Sequence, residues 1–107
     1  ARVMAIINKE MANPNLSVEM IASEAGLSRV HLYRKIKEHT NQSPRNFIRN
    51  VRLKQAAVLL SQKRHSIAEV ADAIGFSSAT HFSTAFKELY GVSPTVYMEQ
   101  KNQEGSL

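Results

Sequence analysis

The sequence contains no cysteine among its 107 residues. This absence excludes a disulfide framework, a thiol nucleophile and a thiolate metal site. The sequence also lacks any run approaching the roughly 18 apolar residues of a membrane-spanning helix, and it shows no signal-peptide pattern. A chain of this length forms one or two small cores but no large enzyme cleft, so we expect a small cytoplasmic binding module.

Positive charge is concentrated in the first part of the chain. Residues 1–62 contain ten lysines and arginines against four acidic residues, whereas residues 63–107 contain four against five. The formal net charge of +5 favours an anionic partner such as nucleic acid. We expect the first part to supply most of any attraction to phosphates.

The chain contains two sequence blocks that each occur twice. The earlier block is Ile21-Ala22-x-x-Ala25-Gly26-Leu27-Ser28, and it returns 49 residues later as Val70-Ala71-x-x-Ile74-Gly75-Phe76-Ser77. The later block is Leu32-x-x-x-Ile36-Lys37-Glu38 with Ser43-Pro44, and it returns 50 residues later as Phe82-x-x-x-Phe86-Lys87-Glu88 with Ser93-Pro94. A repeat of this period is typical of a duplicated supersecondary unit. Each copy is predicted to form a short helix, a glycine-containing turn and a second helix, which is a helix-turn-helix.

Local signals predict an all-α fold of seven helices, because no segment alternates apolar and polar residues for long enough to form a sheet. The predicted N-caps are Ser17, Ser28, Ser43, Ser66 in a capping box with Glu69, Ser77 or Ser78, and Ser93. Gly26 and Gly75 are expected to end the first helix of each copy. The predicted organisation is a first helix-turn-helix subdomain in residues 1–43, a linker helix in 44–62, a second subdomain in 63–101 and a flexible tail in 102–107.

The second helix of the first copy is predicted to present a face suited to the DNA major groove. A helical wheel that turns Leu32 and Ile36 inward places Val30, Arg34 and Lys37 on the opposite face. Arginine bonds guanine O6 and N7, and valine packs on a thymine methyl group. Lysine at the far end of the face is expected to contact a phosphate.

The equivalent helix of the second copy has a similar pattern. With Phe82 and Phe86 inward, the wheel exposes Thr80, Thr84 and Lys87. Threonine offers a base edge both a hydroxyl and a methyl group.

The alternative is that both faces are ordinary solvated surfaces. The recurrence of the whole unit argues against it, as do Val30 and Tyr33, which are unusual on a purely solvated face.

Both copies resemble the tandem helix-turn-helix domain of the arabinose-regulator (AraC/XylS) family of bacterial transcription regulators, over about residues 3–99. The more specific part lies in the second copy and comprises Ile67-Ala68-Glu69-Val70-Ala71-x-x-Ile74-Gly75-Phe76-Ser77-Ser78, His81-Phe82-Ser83-x-x-Phe86-Lys87 and Tyr90-Gly91-Val92-Ser93-Pro94. The resemblance implies two small bundles bridged by a long helix. It also implies that the helices starting near Arg29 and Ser78 enter successive major grooves on one face of DNA.

The resemblance and the wheel together give a set of DNA-contacting candidates. The family's base-contacting positions fall on Val30, Tyr33, Arg34, Ala79, Thr80 and Thr84, whereas the wheel selects Val30, Arg34, Thr80 and Thr84 and places Ala79 nearer the core. The base-contacting candidates are Val30, His31, Tyr33, Arg34, Ala79, Thr80, His81, Ser83 and Thr84. The phosphate-contacting candidates are Ser28, Arg29, Lys37, Ser43, Arg45, Ser78, Lys87 and Ser93.

Position 84 departs from the family pattern, because many members have arginine where this chain has Thr84. The second recognition helix therefore contains no arginine. We expect it to make a weak or indirect contribution to base recognition. The resemblance implies that this helix instead holds DNA phosphates or meets RNA polymerase.

Three arginines recur on one face of the linker helix, namely Arg45, Arg49 and Arg52. The favoured interpretation is a solvated basic face on which one arginine anchors the two subdomains. The alternative is phosphate contact by this face.

Other function classes have weaker support in the sequence. The four histidines form no i, i+3 or i, i+4 pair, and the serines precede helices, where capping explains them. We therefore expect no metal, no cofactor and no enzymatic activity. A helical protein-interaction module without intrinsic DNA affinity remains the alternative function.

The resemblance also implies partners and context. It implies double-stranded DNA as the ligand, RNA polymerase as a further partner, and an activator rather than a repressor. Because the chain opens on Ala1 rather than Met, we expect a C-terminal piece of a longer bacterial regulator. Dimerisation in this family usually belongs to the other part, so the piece itself is expected to be monomeric and the full-length protein dimeric.

Overall fold

The computed structural model describes residues 2–105 and, within that range, contains seven α-helices and no β-strand. The helices are α1 (Arg2–Lys9), α2 (Val18–Ala25), α3 (Arg29–Thr40), α4 (Pro44–Ser61), α5 (Ile67–Ala73), α6 (Ala79–Tyr90) and α7 (Pro94–Gly105). The prediction of an all-α fold with a long central helix is confirmed.

Serine hydroxyls begin the helices as the sequence predicts. Six of them accept a hydrogen bond from the backbone N–H three residues later, at 3.1 to 3.3 Å, and they are Ser17, Ser28, Ser43, Ser66, Ser78 and Ser93. The Glu69 carboxylate in turn accepts the N–H of Ser66 at 2.8 Å, which completes the capping box. These two hydrogen bonds with Ser66 hold the pKa of Glu69 below its usual range. Between the two candidates for the start of α6, Ser78 is the cap.

The apolar residues form two separate buried clusters, one in each half of the molecule. The first cluster joins α1, α2 and α3 to the start of α4 and comprises Ile6, Ile7, Ile21, Ala22, Leu32, Ile36 and Ile48. The second joins the rest of α4 to α5 and α6 and comprises Leu53, Ala56, Ala57, Leu60, Val70, Ala71, Ile74, Phe82, Ala85 and Phe86. Helix α4 therefore contributes to both cores, and the partly buried Met11 packs against both.

The last helix continues further than the sequence pattern indicates. Helix α7 runs to Gly105, so residues 102–105 are helical although they belong to the segment predicted as a tail. Of these four residues only Gln103 and Glu104 are good helix formers, so the extension continues a helix that is already formed rather than following from an apolar stripe. The remaining two residues of that predicted tail, 106 and 107, lie outside the described part of the chain.

The molecule is elongated, with principal dimensions of 48 × 23 × 22 Å. Its two cores lie side by side along α4. The long dimension exceeds the 34–36 Å or so of one turn of B-DNA, which matters for what two helices on this scaffold can contact.

Candidate nucleic-acid interface

Helix α3 turns an apolar edge to the first core and exposes the opposite side. Leu32 and Ile36 are buried. Val30 is 68% exposed and Tyr33 is 49% exposed, although both side chains are largely apolar. Arg34 is exposed as well, and it forms no hydrogen bond or ion pair with any residue that the structure describes. This side of α3 therefore presents a cation and apolar surface to solvent.

Helix α6 has the same arrangement in the second half. Phe82, Ala85 and Phe86 are buried, and the exposed residues include Ala79, Thr80, His81, Thr84 and Lys87. Ser83 is half-buried. Ala79 lies at the solvent-exposed first turn rather than toward the core, so its position agrees with the family pattern and differs from the helical wheel.

Two internal contacts shape what α6 offers to a ligand. The Thr84 hydroxyl donates a hydrogen bond to the Thr80 carbonyl at 3.1 Å. With its proton engaged, Thr84 presents a methyl group and acceptor lone pairs to a neighbouring molecule. The His81 ring packs edge-on against Phe76 at 5.3 Å between ring centroids, which restrains its orientation at the surface.

A groove of about 700 Å³ runs between the beginnings of α3 and α6 and is floored by α4. Its polar lining includes Arg29, Arg45, Asn46, Arg49, Ser77 and His81. A neighbouring cleft brings Val30 and Tyr33 of α3 together with Ser43 and Arg45 at the start of α4. The N-terminal ends of the two exposed helices therefore border one shared, mostly basic surface.

The candidate phosphate-contacting residues divide between that surface and its surroundings. Arg29 lies at the groove but forms an exposed ion pair with Glu19 at 3.3 Å, which neutralises part of its charge. Lys37 and Lys87 are exposed in the second halves of α3 and α6, outside the groove lining. Ser28, Ser43, Ser78 and Ser93 each begin a helix, where unpaired backbone N–H groups favour an anion.

The three arginines of α4 have three different environments. Arg45 is exposed and forms no hydrogen bond or ion pair within the described part of the chain. Arg49 forms an ion pair with Glu88 of α6. Arg52 is half-buried and donates from Nη2 to the Asn13 carbonyl at 2.5 Å, and burial lowers the pKa of its guanidinium. The sequence predicted one anchoring arginine on α4, whereas the structure has two, because Arg49 and Arg52 both connect α4 to other elements.

Some residues at this surface were not identified from the sequence. Asn46 and Ser77 line the groove, and Glu88 fixes Arg49. The sequence singled out Ser77 only as an alternative helix cap. Its signal was the adjacent Ser78, because only one of two consecutive serines can cap α6 and the other remains available at the surface.

The described part of the chain has neither a cluster of metal ligands nor a helix suited to a membrane. Among the side chains that the structure describes, in residues 2–101, no three of His, Asp or Glu lie together in a group that could hold a metal ion. None of the described helices is both long enough and apolar enough to span a membrane.

The sequence model of an AraC-type family, described as "Helix-turn-helix domain", matches residues 21–100. The chain belongs to the AraC-type helix-turn-helix family. Among curated relatives of this AraC-type domain, histidine kinase P4 of Formosa agariphila is 33% identical over 96% of the chain and 8% of its own length. The regulator MtrA of Neisseria gonorrhoeae is 35% identical over 96% of the chain and 35% of its length. The transcriptional activator RhaS of Salmonella arizonae is 37% identical over 71% of the chain and 27% of its length.

Solved structures of AraC-type domains have the same fold. A transcriptional regulator from Chromobacterium violaceum superposes with a TM-score of 0.87 at 29% identity, over 95% of this chain and 90% of the other. The DNA-binding domain of AdpA, solved in complex with a target DNA, gives a TM-score of 0.86 at 27% identity, over 95% and 91%. The chain spans between 8% and 35% of the length of the three curated relatives, so it corresponds to one domain of each.

Proposed function

We propose that this AraC-type domain binds double-stranded DNA by placing α3 and α6 in successive major grooves on one face of the duplex. The observation that carries the proposal is the pair of exposed helix faces, each opposite buried residues and each beginning at a serine-capped turn on one common groove. The 48 Å length of the molecule is sufficient for two helices that lie one turn of B-DNA apart. The complex of the similar AdpA domain with DNA supports the same ligand class.

Helix α3 is the stronger base-contacting element in this proposal. Arg34 has no competing internal partner among the described residues, so its guanidinium is available for a bidentate contact to guanine. Val30 and Tyr33 supply exposed apolar surface for a thymine methyl group. His31 lies beside them on the first turn.

Helix α6 makes a weaker and less sequence-dependent contribution. It has no arginine, and the Thr84 proton is engaged by the Thr80 carbonyl. Ala79, Thr80, His81 and Ser83 are left to contact base edges with small or neutral groups. Backbone contacts then position this half of the domain, and DNA shape contributes to its preference.

Phosphates on both sides of the bases are contacted by cations and helix N-termini. Arg45, Lys37 and Lys87 carry exposed charges, and the turns at Ser28 and Ser78 present backbone N–H groups. Ser43, Ser93 and the partly neutralised Arg29 complete this set. Because each neutralised phosphate releases counterions, log affinity should fall with log salt by about 0.9 per contacted phosphate.

The experiment that tests the proposal is a fluorescence titration of the domain with random-sequence duplex at several salt concentrations, followed by selection of a preferred sequence. Arg34→Ala should weaken binding to the selected duplex by about 1–3 kcal/mol and relax the preference at one base pair. Lys54→Ala is the matched control, because Lys54 is exposed on α4 and lies about 180° around that helix from Arg45. An equal loss for Arg34→Ala on every sequence would make Arg34 a phosphate contact, and absence of binding at low salt would favour a protein-interaction module.

We propose that this domain is part of a longer bacterial transcription activator that acts in the cytoplasm. The name of RhaS supports activation, whereas signal sensing and dimerisation are assigned to parts outside this domain. The domain itself is proposed to be monomeric and non-catalytic. RNA polymerase is proposed as a second partner, through whatever surface of α6 the DNA leaves uncovered.

A further inference from the structure

Two glycines at equivalent positions of the repeat have different surroundings. Gly26 follows α2 and Gly75 follows α5, and both have left-handed φ angles, +71° and +83°. A Cβ atom added to Gly26 would meet no atom within 4 Å. A Cβ atom added to Gly75 would lie 2.6 Å from the Met11 carbonyl oxygen and 2.7 Å from Nη2 of Arg52. The turn requires glycine in both copies, but only the second turn also requires it for close packing.

The atoms that approach Gly75 come from the segment after α1 and from the central helix α4. Met11 follows α1, and its side chain packs against both cores. Arg52 belongs to α4, and the same Nη2 atom donates to the carbonyl of Asn13, in the segment between α1 and α2. The turn of the second helix-turn-helix, the central helix and the α1–α2 segment therefore meet at one point, which we term the junction (Met11, Asn13, Arg52 and Gly75).

A second connection reaches α6 itself. Arg49, one helical turn before Arg52 on α4, forms the ion pair with Glu88 of α6. Helix α6 is thus held to α4 through Glu88 in its second half and through the turn at Gly75 ahead of its first residue, Ala79. Only three residues, 76–78, separate Gly75 from the first residue of α6, Ala79, so we expect a shift at the junction to displace the N-terminal end of α6.

The geometry points to Gly75 and Arg52 as positioning residues that fix the relative placement of α3 and α6, so that the domain selects DNA by the spacing between its two half-sites. This inference rests on the proposed function. Inserting one base pair between the half-sites moves one of them by about 3.4 Å along the axis and rotates it by about 35°. A domain with a rigid junction cannot follow both changes, whereas a domain with a loosened junction can.

The first test measures the junction without DNA. The chain contains no cysteine, so Glu24→Cys on α2 and Asp72→Cys on α5 introduce two exposed attachment sites for spin labels. Double electron–electron resonance on the labelled full chain should give one narrow distribution of distances between the two labels. Gly26→Ala should leave this distribution unchanged. Gly75→Ala should broaden or shift the distribution, and a distribution equal to that of Gly26→Ala would overturn the inference.

The second test measures spacing selectivity with the duplex that the wild-type chain selects from a random-sequence pool. One base pair inserted between the half-sites should weaken wild-type and Gly26→Ala binding on the order of tenfold, the scale of one mismatched position. Gly75→Ala should bind the two duplexes with affinities within about threefold of each other. Its affinity should fall mainly for the duplex with the original spacing. If Gly75→Ala shows the same ratio of affinities for the two duplexes as the wild-type chain, the inference is overturned.

A second variant keeps both tests decisive if Gly75→Ala fails to fold. Arg52→Met retains the aliphatic stem and removes the hydrogen bond to Asn13, and it should change the distance distribution and the spacing ratio in the same direction. If the wild-type chain binds no duplex, the proposed function fails, whereas the distance measurement still decides whether the junction is rigid.

Discussion

The two repeat-equivalent glycines allow the energy of close packing at the junction to be separated from the energy of the turn. In both Gly26→Ala and Gly75→Ala, alanine must adopt a left-handed backbone conformation, which costs about 1–2 kcal/mol. At Gly26 no further loss is expected, because the added methyl group points into open space.

At Gly75 the added methyl group overlaps a backbone carbonyl, which cannot swing aside as a flexible side chain can. Overpacking of this kind costs about 1–3 kcal/mol beyond the turn, so the total loss should be about 2–5 kcal/mol. Urea denaturation of both variants measures the difference, with the slope of the transition checking that the unfolded state is unchanged. Equal losses in the two variants would refute the packing argument, and a larger loss in Gly26→Ala would reverse it.

Two further predictions concern single side chains. Because the hydrogen bonds with Ser66 lower the folded-state pKa of Glu69, the carboxylate should stabilise the fold above its unfolded pKa, and that stability should be lost as pH falls through the folded pKa. The melting temperature of Glu69→Gln should therefore lie below that of the wild type near neutral pH and converge with it in acid; a constant gap would contradict the capping-box explanation. Thr84→Arg restores the residue type that many family members have at this position, and it should tighten binding to a newly selected duplex by about 1–3 kcal/mol through a guanine contact. An unchanged selected sequence would show that position 84 does not contact a base.

Local sequence patterns were sufficient to predict the helices of this fold. A serine followed by an apolar helical stripe correctly located the helix starts, because the cap bonds to a backbone N–H only three residues away. The same logic identified the exposed faces of α3 and α6, since burying Leu32 or Phe82 determines which side of the helix remains in solvent. The contacts responsible for the caps and for the buried faces lie within one helix or one turn, or follow from which side of the helix is apolar.

The relation between the two halves could not be predicted in this way. Arg49 and Glu88 are 39 residues apart, and so are Arg52 and Asn13, so neither pair leaves a periodic signal. The crowding at Gly75 is likewise absent from its sequence neighbourhood, which resembles that of Gly26. The repeat shows that two similar units exist, whereas long-range contacts specific to this chain determine how the units are joined.

Chemical footprinting on the selected duplex shows directly whether α3 and α6 occupy successive major grooves on one face of DNA. We expect two protected major-groove patches with centres about 10–10.5 base pairs apart on the same face. Arg34→Ala should remove guanine protection in one patch and leave the other in place. A single patch, or two patches on opposite faces of the duplex, would contradict this placement of the two helices.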